Sequence, residues 1–99
     1  IDMMVLITYD VETKSKAGQK RLRKVAKICE NHGQRVQYSI FECVLEPAMF
    51  AELKFRLEAA IDKKADSLRF YNLGSSWNRK VEHVGAKPSF NLESGTLVI

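Results

Sequence analysis

The 99 residues suffice for one domain with a single two-layer core and not for two. Hydrophobic residues at 45% and charged residues at 28% are ordinary for a folded chain, while a net charge of +4 and a pI near 9.2 favour polyanionic partners. No apolar stretch is long enough to span a bilayer, no signal-peptide pattern is visible, and two cysteines are too few for a disulfide framework or an iron–sulfur cluster.

Met3 to Asp10 is a short β-branched run that ends on an aromatic and a carboxylate, and it reads as a buried central strand. Val11 to Gly18 is polar and reads as a loop. Leu22, Val25, Ala26 and Cys29 then follow the i, i+3, i+4, i+7 spacing of an amphipathic helix. Asn31-His32-Gly33 is its stop signal, with Gly33 expected in the left-handed conformation that closes a helix. From Gln34 to Leu45 the alternation of strands returns, Val36, Tyr38 and Ile40 on one face, then Phe41, Cys43 and Leu45 on the other. That change of parity requires either a bulge or two short strands with a tight change of direction. Glu46-Pro47 opens a second helix, proline sitting where its missing N–H costs nothing. Phe50, Leu53, Leu57, Ala60 and Ile61 are its buried stripe. Ser67 to Leu73 is a further strand, Gly74-Ser75-Ser76 a turn, Arg79 to Val84 a weakly alternating strand, and Leu97-Val98-Ile99 an apolar end.

The order predicts an α+β domain of the ferredoxin-like βαββαβ type, an antiparallel sheet with both helices on one face. Residues 1–74 form its core and residues 75–99 a C-terminal extension within the same domain. An apolar end such as Leu97, Val98 and Ile99 invites strand addition to the sheet of a second protomer, with folding back onto its own sheet as the alternative. A domain of this size buries roughly two-thirds of its unfolded surface, so a partner subunit would add stability. Cys29 and Cys43 are expected to be buried, reduced thiols in a cytoplasmic protein.

Lys14, Lys16, Lys20, Arg21, Arg23, Lys24 and Lys27 run without an acidic residue among them. Charge runs are commonly a solvated helix face. Acidic partners at i, i+4 normally interleave on such faces, however, and their absence favours sequence-independent binding of phosphates. Phe70 and Tyr71 are adjacent on a strand, point to opposite faces and cannot form a paired base-stacking surface. His32 and His83 are not read as zinc ligands, and neither cysteine is read as having a base partner. His32 is expected to finish the first helix and His83 to face solvent or an interface.

Tyr9-Asp10 closing the first strand, Arg21-Leu22, Gly33-Gln34-Arg35-Val36-Gln37-Tyr38-Ser39-Ile40-Phe41-Glu42 and Asp66-Ser67-Leu68-Arg69-Phe70-Tyr71 together resemble the small CRISPR-associated Cas-two proteins over nearly the whole chain. The loop Glu12-Thr13-Lys14 departs from relatives that carry further aspartates there, leaving Glu12 as the one candidate for a second acidic ligand. The resemblance implies a homodimer of prokaryotic adaptive immunity that works with the CRISPR integrase Cas-one in capturing spacer DNA. It also implies a metal-dependent endonuclease on RNA or DNA, in which Asp10 is the catalytic residue and holds Mg²⁺, or Mn²⁺, with its twin across the dimer axis; the two-fold basic surface of a dimer favours double-stranded DNA over RNA. One aspartate per chain is a poor Mg²⁺ site, whereas two copies about a two-fold axis supply two carboxylates. Tyr9, Arg35 and Ser39 would support that site, and Phe41 is expected in the core or, with the apolar tail, at the dimer interface. From position alone Asp10 is better explained as a cap where the strand turns, and the resemblance reverses that. The alternative from a different class is an architectural DNA-binding dimer that bridges the integrase, its carboxylates catalytically idle. A third, a sensor of a small metabolite, would make the basic helix incidental.

Overall fold

The apolar run at the start of the chain forms β1 (Met3–Asp10), paired antiparallel on one side with β3 (Ile40–Leu45) and on the other with β4 (Ser67–Gly74). With β2 (Gln34–Gln37) on the outer side of β3, the sheet order is β2-β3-β1-β4. The two crossovers are α1 (Lys16–Glu30) and α2 (Pro47–Ala60). This computed structural model describes residues 1–86 throughout and, beyond them, the backbone of β5 (Ser89–Phe90) and β6 (Leu97–Val98). The architecture is the ferredoxin-like α+β arrangement, with the helices on one face of an antiparallel sheet.

Alternation decides which face each strand residue serves. Val5, Ile7 and Tyr9 of β1 and Phe41, Cys43 and Leu45 of β3 meet Val25, Ile28 and Cys29 of α1 and Leu53, Leu57 and Ala60 of α2 in one core. Phe50, Ile61, Leu68 and Phe70 pack around its margin, and the Phe50 and Phe70 rings meet edge to face with centroids 5.8 Å apart. The buried faces of both helices follow the expected stripes. Phe70 turns inward and Tyr71 outward, as adjacent strand residues must.

Three local expectations are corrected and one open alternative, the third below, is resolved. First, α1 begins at Lys16, earlier than the glycine suggests: Ser15 is its N-cap, its hydroxyl accepting the Gly18 N–H at 2.9 Å. Gly18 lies in the first turn because a Cβ there would collide with the Glu12 carbonyl oxygen. Second, Gly33 does not adopt a positive φ; a side chain there would strike the Cys43 Sγ and the Glu42 carbonyl. His32 does finish the helix, its ring Nδ1 lying 2.9 Å from the Ile28 carbonyl. Third, the parity change contains both of its alternatives: the chain turns at Tyr38-Ser39, and Val36 is a bulge between the pairs Arg35↔Phe41 and Gln37↔Ile40. Fourth, Arg79 to Val84 forms no strand. A 3₁₀ turn at Trp77–Arg79 takes its start, and the Lys80 ammonium reaches back 2.8 Å to the Leu73 carbonyl.

In the extension, β6 pairs antiparallel with β5 of the same chain, Ser89↔Val98 and Phe90↔Leu97, in a small sheet of its own. Ile99 lies outside the described residues. Phe41, expected in the core or at a dimer interface, is fully buried in the core of its own chain.

Candidate metal and nucleic-acid site

Asp10 ends β1 opposite Ser67 of β4, on the sheet face away from the helices. Its side chain is exposed and has no hydrogen-bond or ion-pair partner among the described residues. A bare carboxylate on a strand end suits a hard divalent cation, which keeps several waters and takes one or two protein carboxylates. One chain supplies no more than that: no group of three His, Cys, Asp or Glu side chains able to hold a metal occurs among the described residues. Glu12 is committed elsewhere. Its carboxylate accepts the Ser15 N–H at 2.7 Å and the Ser15 hydroxyl at 2.8 Å, bonds that hold its pKa below the ordinary value, and Arg21 lies 3.7 Å away.

Tyr9 and Arg35 are brought together, but on the opposite face of the sheet. The buried Tyr9 ring stacks on Phe41 at 6.2 Å between centroids, and its hydroxyl donates to the Tyr38 carbonyl at 3.3 Å. Burial pushes its phenol pKa up, partly offset by a hydrogen bond with Arg35, so it is no base at neutral pH. The Arg35 guanidinium lies 5.0 Å from the Phe41 ring centre and pairs with Glu30 at 3.2 Å. Ser39 contributes through its backbone, its carbonyl accepting the Tyr9 N–H at 3.1 Å. These three residues brace the strand end and the hairpin; the side chains of Tyr9 and Arg35 do not reach the face that carries Asp10.

Of the basic set, Lys14, Lys16, Lys20, Arg23, Lys24 and Lys27 are exposed, with no acidic partner among the described residues. Positions 16, 20, 23, 24 and 27 share one side of α1. Arg21 is the exception, its guanidinium engaged within the fold. Its Nε donates to Asp66 Oδ2 at 2.8 Å and its Nη2 to Oδ1 at 3.4 Å. Asp66 is the residue that sequence reasoning passed over. Its side chain is completely enclosed, and it also accepts the backbone N–H groups of Glu12 at 3.0 Å and Asp62 at 2.9 Å. The Arg21 hydrogen bond leads in pulling its pKa down to about 2. Only an acid placed just before a strand hinted at this role.

Cys29 and Cys43 are fully buried, and desolvation pushes both thiols up to about 12, which disqualifies them as nucleophiles. No helix among the described residues is long and apolar enough to cross a membrane.

A family model described as CRISPR associated protein Cas2 matches residues 3–81. The chain belongs to the Cas2 family. It is 57% identical over 97 residues to a protein of Nitratidesulfovibrio vulgaris named CRISPR-associated endoribonuclease Cas2, covering 98% of this chain and 94% of the relative. It is 58% identical over 91 residues to a Halalkalibacterium halodurans protein named CRISPR-associated endonuclease Cas2, covering 92% and 95%. Among solved structures, Streptococcus pyogenes Cas2 at pH 6.5 superposes with a TM-score of 0.72 at 59% identity, over 84% of this chain and all of that one. A chain from a partial Cas6-RT-Cas1–Cas2 complex superposes with a TM-score of 0.63 at 26% identity, over 83% and 90%.

Proposed function

We propose that this Cas2-family chain is a metal-dependent endonuclease of CRISPR immunity, acting as a homodimer in which Asp10 of each copy holds a shared Mg²⁺, with Mn²⁺ able to replace it. The observation that carries this is the Asp10 carboxylate, exposed and without a partner among the described residues, on the sheet face away from the helices. Leu6, Ile40 and Val44 are half-buried on that face and Tyr71 is exposed, an apolar composition that suits a second copy of the chain. Stacking the two faces about a two-fold axis would bring the Asp10 strand ends towards each other. The names of the vulgaris and halodurans relatives, endoribonuclease and endonuclease, support phosphodiester cleavage.

A bound divalent ion would supply Lewis-acid polarisation of the scissile phosphate. Asp10 holds it, and the solvent side of α1 binds the flanking phosphates through Lys16, Lys20, Arg23, Lys24 and Lys27 without reading sequence. Two such faces in a dimer favour duplex DNA; the vulgaris relative's name supports RNA. The relative solved within a partial Cas6-RT-Cas1–Cas2 complex supports a second reading, an architectural DNA-binding dimer that bridges the integrase Cas1 in spacer acquisition. A cytoplasmic setting fits both readings.

The test is incubation of the purified chain with linear duplex DNA and with single-stranded RNA, in Mg²⁺, Mn²⁺ or EDTA, beside Asp10→Asn. Cleavage that requires metal and is lost in the variant supports the nuclease and names its substrate. Tight binding without cleavage, equal in both proteins, overturns it in favour of the architectural role.

A further inference from the structure

Asp10 has no side-chain partner among the described residues, so its direction is set by the backbone on either side of it. Before it, the Tyr9 N–H is held by the Ser39 carbonyl at 3.1 Å. After it, the Glu12 N–H is held by a side chain, Asp66 Oδ1, at 3.0 Å. Asp66 directly precedes Ser67, the residue paired with Asp10, so its carboxylate continues the β1–β4 pairing just past the point where β1 leaves the sheet. The same carboxylate takes Arg21 from α1 and the Asp62 N–H from the α2–β4 connection. Three segments therefore converge on one enclosed anion that grips the chain two residues beyond the candidate ligand.

We propose that Asp66 is a positioning residue for Asp10: its grip on the Glu12 amide and the Arg21 guanidinium fixes the exit of β1 and hence the aim of the Asp10 carboxylate. The inference rests on the reading of Asp10 as a metal ligand. A buried carboxylate is an expensive way merely to fill space, since its charge must be fully matched. What it provides that an apolar side chain cannot is a directed bond to a backbone N–H at the strand end. Glu12 strengthens the same exit from its other side, its carboxylate capping Ser15 while Gly18 packs on its carbonyl. Asp66 itself cannot be the ion's ligand, because Glu12, Arg21 and Asp62 already occupy its oxygens.

The experiment is calorimetric titration of the full chain with Mn²⁺, comparing wild type, Asp66→Asn, Asp10→Asn and Leu57→Val, the last a core variant for matching lost thermal stability. Amide exchange at Glu12 and affinity for a labelled duplex are read on the same samples. Asp66→Asn is expected to bind Mn²⁺ at least about tenfold more weakly, the usual cost of losing an outer support of a metal ligand. It should also lose protection at the Glu12 amide while holding the duplex as wild type does, and Leu57→Val should keep wild-type Mn²⁺ affinity. Mn²⁺ binding by Asp66→Asn equal to that of Leu57→Val would overturn the positioning role and leave Asp10 as ligand. Mn²⁺ binding that survives Asp10→Asn would instead overturn the reading of Asp10 beneath it. Should Asp66→Asn not fold, Arg21→Lys keeps the charge but not the two-point grip, and its titration decides by the same criterion.

Discussion

Asp10 and Asp66 stand at the same end of the sheet, one carboxylate exposed and bare, the other enclosed by Arg21 and two backbone N–H groups. That contrast separates a group available to a ligand from a group consumed by the fold. Removing Arg21 leaves the enclosed Asp66 carboxylate without its cation, so Arg21→Gln is expected to lower the melting temperature at neutral pH. The pairing also sets a pH dependence. Because the folded pKa of Asp66 is depressed from 3.8 to about 2, the stability it confers is fully present above pH 4 and is lost as pH falls towards 2. Thermal melts across that window should show wild type losing its advantage over Arg21→Gln. A difference unchanged between pH 4 and pH 2 would contradict the assignment. Little of this was legible in the sequence. Arg21 reads as one more cation of a basic helix until the fold brings in a partner 45 residues away.

At the scale of elements, α1 divides its labour between two sides. Val25, Ile28 and Cys29 enter the core, and the lysines with Arg23 face solvent. The spacing of apolar residues was enough to place the buried stripe, because 3.6-residue periodicity is a local property. Long-range crowding is not local, which is why Gly18 and Gly33 mislead. Each is required by a close approach, to Glu12 and to Cys43, that only the folded chain creates. The parity change after Gln34 announced a break in the strand, yet neither the turn at Tyr38-Ser39 nor the bulge at Val36 carries a glycine, proline or asparagine to locate it. For α1 itself, Lys20→Gln with Lys24→Gln should weaken binding to duplex DNA regardless of sequence. It should reduce the slope of log affinity against log salt by roughly two, about one for each phosphate no longer neutralised. Arg21→Gln should leave that slope alone, its guanidinium being held by Asp66. Equal slopes in the lysine variant and wild type would remove this face from the binding surface.

For the whole molecule, the fold was readable from element order because strand, helix, strand pair, helix, strand has few compact solutions. Phe41 belongs to the interior, and among the described residues the sheet face opposite the helices offers an apolar surface, with Leu6, Ile40 and Val44 half-buried and Tyr71 exposed. A charge set into that face should therefore separate the copies: Ile40→Glu is expected to sediment as a monomer where wild type sediments as a dimer. An unchanged mass would move the interface elsewhere. A dimer closed in this way accounts for a nuclease whose candidate site draws one acid, Asp10, from each chain, since the second ligand comes from the other copy. The most direct test is the stoichiometry of Mn²⁺ binding, measured by calorimetry on wild type and Asp10→Asn. A shared site predicts one ion for every two chains and none in the variant. One ion per chain, or binding that survives loss of Asp10, would contradict it.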